Sequence, residues 1–156
     1  MEDVQSLPSG PLPSFMIGDF QLETSELFNE FMTELGVNWV TRNIANNLYP
    51  VQKISQDEDE ISLITETPIR STDTKFKLNI PWEETTADGR VTETISTLEG
   101  NILRKVQVPD PSTGYHSTQE DREFSEDGET MKMTLTISGK PAVTCIRVYK
   151  RLPANI

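Results

Sequence analysis

Beyond Pro50 almost every stretch of this chain is a short run of alternating apolar or β-branched and polar residues, cut off by a turn signal. Phe76, Leu78 and Ile80 alternate with Lys75, Lys77 and Asn79, and Met131, Met133, Leu135 and Ile137 alternate with Thr130, Lys132, Thr134 and Thr136. Ile61–Thr67, Val91–Leu98, Ile102–Val108 and Ala142–Lys150 read as further strands, with turns at Asp57–Asp59, Asp88-Gly89, Gly100-Asn101, Asp127-Gly128 and Ser138–Lys140. Short strands joined by tight turns predict an all-β sandwich or barrel of antiparallel meander type. Ahead of Pro50 the period changes. Ile17–Leu22 reads as a strand and Thr24 or Ser25 as a helix N-cap; Leu27, Phe28, Phe31, Met32 and Leu35 then recur at helical spacing up to Gly36. A second helical pattern, Val40, Ile44, Ala45 and Leu48, ends before Pro50, and the apolar stripe of the pair needs something to sit on. Residues 1–14 hold three prolines and no periodicity. They read as a flexible arm, which leaves 15–156 as one domain.

Charge narrows the function. The 14 basic residues stand against 25 acidic ones, a net of −11, and such a field repels nucleic-acid phosphates and anionic lipid surfaces. A lone cysteine and a lone histidine make neither an internal disulfide nor a His/Cys metal cluster, so no metal or cofactor is expected. The first basic residue is Arg42, which argues against secretory and transit signals and for the cytoplasm. The chain has no G-x-S-x-G, phosphate-loop, dinucleotide, H-E-x-x-H or C-x-x-C motif. A Cys145–His116 nucleophile pair would need a reactive thiol, yet Cys145 lies mid-strand among apolar residues, where cysteine behaves as a small hydrophobe. The reading is of a binding protein, not an enzyme.

In the last strand Val143, Cys145, Arg147 and Tyr149 share one face. Either that face is solvated and Arg147 and Tyr149 decorate it, or both point at one anionic group, for which arginine offers a planar fork and tyrosine one donor. Arg122, amid six acids in residues 119–129, is likewise either a surface ion-pair member or an inward cation beside Phe124.

From about Met16 onward the chain resembles the intracellular lipid-binding proteins, the fatty acid-binding and cellular retinoid-binding group. Gly18-Asp19-Phe20-Gln21-Leu22 is similar to the opening of that family. Phe28–Met32 with Leu35-Gly36-Val37 is similar to its first helix, and Arg42–Ala45 through Pro50 to its second. Glu84–Arg90, Arg122-Glu123 and the closing Cys145-Ile146-Arg147-Val148-Tyr149 follow in the same order. The resemblance implies a ten-stranded antiparallel up-and-down β-barrel, a lipocalin-like clam, with a helix-turn-helix lid after the first strand. It implies one long-chain fatty acid inside, its carboxylate held by Arg147 and Tyr149 with Arg122 as third anchor, and Phe28, Met32, Ile69 and Ala87 lining cavity or portal. A retinoid is the alternative ligand, since Ile69–Thr72 and Pro109–Ser117 look more like the retinoic acid branch. A protein-interaction or structural barrel, contacting through the arm, is the alternative class. The carrier would be a monomer; its membrane contact would be at most transient, because the first helical segment reads as carrying Glu23, Glu26, Glu30 and Glu34 with no base until Arg42. Trp82 stands where the family usually has Phe. Glu120 falls by alternation on the face of Arg122; if both point inward, it neutralises that cation.

Overall fold

The computed structural model describes residues 10–154. Ten strands follow one another in an antiparallel meander: β1 (Gly18–Glu26), β2 (Val51–Asp57), β3 (Glu60–Glu66), β4 (Ser71–Lys77), β5 (Trp82–Thr85), β6 (Val91–Glu99), β7 (Ile102–Pro109), β8 (Thr118–Phe124), β9 (Thr130–Ile137) and β10 (Cys145–Arg151). The sheet wraps because β1 pairs with both β2 and β10. Its two ends are β4 and β5, which no ladder joins among the described residues. There the rings of Phe76 and Trp82 stack at 5.0 Å between centroids and 8° between planes, closing with aromatic contact what backbone pairing leaves open. The barrel with its two helices after the first strand is the architecture the resemblance implies.

Several boundaries differ from the sequence reading. β1 continues past Leu22 to Glu26 because Thr24, Ser25 and Glu26 pair with Val148, Arg147 and Ile146. Neither Thr24 nor Ser25 therefore caps the helix, and Glu23 and Glu26 belong to the strand, which leaves Glu30 and Glu34 of the four expected glutamates on α1; Leu27 precedes the helix in the left-handed conformation, at φ 61°. Helix α1 (Phe28–Glu34) stops at Gly36, φ 83°, where the Gly36 and Val37 amides donate to the carbonyls of Thr33 and Met32. Helix α2 (Trp39–Ala45) starts with Asn38, whose side chain accepts from the Thr41 amide. α2 buries no residue, and Trp39 is 67 % exposed, so its apolar stripe is not seated as expected. Polar contacts tie it to the interhelical linker and to α1 instead, Arg42 donating to the Val37 carbonyl and to Asn29 Oδ1. β4 ends at Lys77, since Asn79 at φ 65° turns the chain and leaves Ile80 exposed. Val143 lies in a 3₁₀ turn over Pro141–Val143 and not on the β10 face.

One arginine fastens the end of the barrel remote from the helices. Arg151 donates to the carbonyls of Phe15, Ile17 and Gly128 and lies over the Phe20 ring at 4.6 Å. Residues 1–9 of the expected arm lie outside the described residues. Leu12, also assigned to that arm, is buried with the core, and its amide donates to Gln56 Oε1 at 2.7 Å. Gly18 adopts φ 141°, and a Cβ there would run into the Arg151 guanidinium. Gly18→Ala should therefore cost about 1–3 kcal/mol, read as a lower urea midpoint at unchanged slope. Gly10→Ala, with nothing near its Cβ position, should leave the midpoint in place.

Candidate functional site

Strand alternation turns Cys145, Arg147 and Tyr149 of β10 to the interior. Arg147 is 4 % and Tyr149 1 % exposed, so the solvated reading of this face is overturned. β1 carries a bulge between Leu22 and Thr24, and the extra residue changes which side chains face inward beyond it. Leu22 stands opposite Tyr149, and past the bulge Ser25 stands opposite Arg147. Arg147 Nη1 accordingly donates to Ser25 Oγ at 2.9 Å, while the guanidinium lies over the Phe28 ring at 3.9 Å. No carboxylate reaches ion-pair distance of Arg147, and the Tyr149 hydroxyl has no hydrogen-bond partner, among the described residues.

Arg122 is inward too, at 3 % exposure, which overturns its surface alternative. It is already occupied: Nε donates to Gln52 Oε1 at 3.0 Å and Nη2 to Glu120 Oε1 at 3.3 Å. Burial, the largest influence on Glu120, pushes its pKa up. Lys105 and Arg122, with a smaller part from Arg90, outweigh it and hold the carboxyl below the usual carboxylate range. Beyond Arg122 the polar wall continues. Glu84 accepts from Lys105 Nζ at 3.1 Å, Gln107 Nε2 at 2.8 Å and Thr94 Oγ1 at 3.0 Å, all buried. Arg90 donates to Asp88, to Thr118 Oγ1 and to the His116 carbonyl, pinning the β5–β6 turn to the β7–β8 connection. Facing this wall are Phe28, Phe31, Met32, Leu63, Met133 and Leu135, and the cavity between encloses about 380 Å³. That volume lies within the ordinary range for small-molecule sites.

Six of the seven residues singled out from sequence line this one cavity: Arg122, Arg147, Tyr149, Phe28, Met32 and Ala87. Ile69 does not; it stands 67 % exposed at the β3–β4 turn. Sequence reasoning missed Ser25, Gln52, Lys105 and Gln107. A larger groove of about 680 Å³ over the outer side of β5–β7, past Pro81, Val91 and Val108, brings together no comparable set of buried donors. Cys145 is fully buried, and burial pushes its thiol up to about 11, the state of an inert core cysteine.

A sequence model of the lipocalin / cytosolic fatty-acid binding protein family matches residues 18–152. The chain belongs to that family. A fatty acid-binding protein of Tyrophagus putrescentiae is 40 % identical over 135 residues, covering 86 % of this chain and 95 % of the relative. The 14 kDa fatty acid-binding protein of Schistosoma mansoni is 36 % identical over 89 % of this chain and 98 % of its own length. Among solved structures, the schistosome fatty acid-binding protein in complex with arachidonic acid superposes with TM-score 0.79 at 33 % identity, over 90 % of this chain and 98 % of that one. The fatty acid-binding protein from Drosophila melanogaster brain gives 0.78 at 37 % identity, over 88 % and 99 %.

Within this family barrel the Glu120 charge has a thermodynamic signature. A carboxyl whose folded pKa is depressed contributes stability above its ordinary pKa and loses it as pH falls through the folded value. Wild type should therefore lose more stability than Glu120→Gln between about pH 6 and about pH 3, measured as urea midpoints at both pH values. Parallel acid profiles would mean that Glu120 is not held in its charged form.

Proposed function

We propose that this chain carries one long-chain fatty acid in its interior cavity, as a cytoplasmic monomer, with the carboxylate on Arg147 and Tyr149. The family and the names of the relatives support lipid carriage over catalysis. The observation that carries the finer reading is the unpaired state of Arg147. A buried cation without a carboxylate is costly, and an incoming carboxylate relieves that cost while accepting from the free Tyr149 hydroxyl. Arg122, already shared between Gln52 and Glu120, has less to offer and serves as a secondary contact at most. The hydrocarbon tail lies against Phe28, Met32, Leu63 and Leu135, gaining roughly 0.8 kcal/mol per buried CH₂. Ala87, at the β5–β6 turn, and Ile69, exposed at the β3–β4 turn, flank the entry in this reading. Among the described residues no helix is long and apolar enough to cross a membrane.

Two titrations test this. Delipidated protein carrying a fluorescent probe should release it to oleate at one-to-one stoichiometry and only weakly to all-trans retinoic acid; the reverse order would assign a retinoid instead. Arg147→Met, neutral and of similar bulk, should weaken oleate by about tenfold or more while leaving oleyl alcohol nearly unchanged. Equal loss for acid and alcohol would remove Arg147 as the anchor.

A further inference from the structure

The cavity holds charges that a carrier of plain hydrocarbon tails does not require. Lys105 is 5 % exposed and turned inward from β7, while its neighbours Val106 and Val108 line the groove on the outer side. It stands directly opposite Glu120 in the β7–β8 ladder, where facing side chains lie within about 5.5 Å at Cβ. Nζ spends one proton on Glu84 Oε2. Glu120 receives only Arg122, on Oε1 at 3.3 Å. Two Lys105 protons and one Glu120 oxygen therefore remain without a partner among the described residues, side by side on the wall of the cavity.

We propose that Lys105 and Glu120 form a second polar subsite that takes a hydroxyl on the chain of the bound lipid, so that mid-chain hydroxylated fatty acids are the preferred ligands. This rests on the carrier reading above. A hydroxyl matches the pair: it accepts from Lys105 Nζ and donates to the free Glu120 oxygen. A second carboxylate does not match, because it would face Glu120 and would add a negative charge to a balanced set. Glu84 and Glu120 already offset Lys105 and Arg122. The charged head goes to Arg147, which has no such counter-ion. From β10, where Arg147 sits, to β8, where Glu120 sits, is two strand spacings, and Glu120 lies two residues off the Arg147–Met133–Arg122 row, so the two groups stand roughly 12 Å apart. That separation sets the hydroxyl along the middle of the chain, away from both the head and the tail end.

The test is probe displacement from delipidated protein by stearate, a positional series of monohydroxystearates, and the methyl ether of the best one. A mid-chain hydroxyl should tighten binding about tenfold over stearate, and the methyl ether, which cannot donate, should lose that gain. Glu120→Gln, which keeps an acceptor oxygen but loses its charge, should lower the hydroxystearate-to-stearate ratio while still binding stearate. Stearate bound as tightly as every hydroxystearate would overturn the subsite and leave the carrier reading intact. Failure of all of them to displace the probe would overturn the carrier reading, and the subsite with it. The methyl ether arm needs no variant, so a destabilised Glu120→Gln protein would not spare the proposal.

Discussion

The seam between the first strand and the last converts a meander into a container, and the site depends on its register. An open meander would leave β1 and β10 as free edges, exposed to pairing with other chains. Their pairing removes both edges and fixes which residues meet inside. The bulge after Leu22 is the decisive detail. Without the extra residue, period-two alternation would put Thr24 opposite Arg147; with it, Ser25 arrives there and accepts the guanidinium hydrogen bond. Arg151 fixes the same seam from the far end by gathering two carbonyls from just before β1 and one from the β8–β9 turn. The orientation of Arg147 is thus decided by β1 as much as by its own strand.

The interior is divided chemically. On the β5–β8 side the inward positions are Glu84, Thr92, Thr94, Ser96, Lys105, Gln107, Thr118 and Arg122, all buried. On the side of α1, β3 and β9 they are Phe31, Met32, Leu63, Met133 and Leu135. Polar groups of the first wall are satisfied mainly by one another, as with Glu84 and its three donors, which keeps their desolvation from unfolding the barrel. The same wall makes the cavity able to accept water or polar ligand atoms, whereas the second wall rewards only hydrocarbon. A barrel that must take up and release an amphiphile needs both.

This division also explains what could be read from the sequence. Alternation in β9 follows the ordinary rule, with Met131, Met133, Leu135 and Ile137 inside, and that strand was legible. In β6 and β7 the rule is reversed: Val91, at 53 % exposure, faces out while Thr92 and Thr94 face in, and Lys105 and Gln107 take the interior in place of Val106 and Val108. Hydrophobicity finds such strands but assigns their faces wrongly, so Lys105 and Gln107 went unnoticed. Ser25 and Gln52 were hidden for another reason. Their roles arise from a bulge and from pairing across the sheet, and no local pattern encodes either. Arg147, Tyr149 and Arg122 were visible because a cation or phenol on a partly apolar strand face already poses the question of its partner. The Glu120 pairing with Arg122 was likewise open to alternation, since residues two apart on one strand share a face.

The two interior arginines illustrate why pairing, not mere presence, decides what a buried cation can do. Arg122 and Arg147 are equally withdrawn from solvent, at 3 % and 4 % exposure, and lie in one inter-strand row through Met133. Arg122 has a carboxylate and an amide oxygen; Arg147 has a hydroxyl and an aromatic face. A carboxylate approaching Arg122 must share the cation with Glu120 or displace it, and displacement leaves a buried anion behind. One approaching Arg147 displaces nothing charged, because Ser25 and the Phe28 ring are neutral. Neutral contacts hold the guanidinium in place without cancelling its charge, and this is the condition under which a buried arginine keeps its attraction for an anion. Since Phe28 opens α1, the helix that covers the cavity also carries the ring beneath the guanidinium, so any displacement of that helix removes part of what holds Arg147.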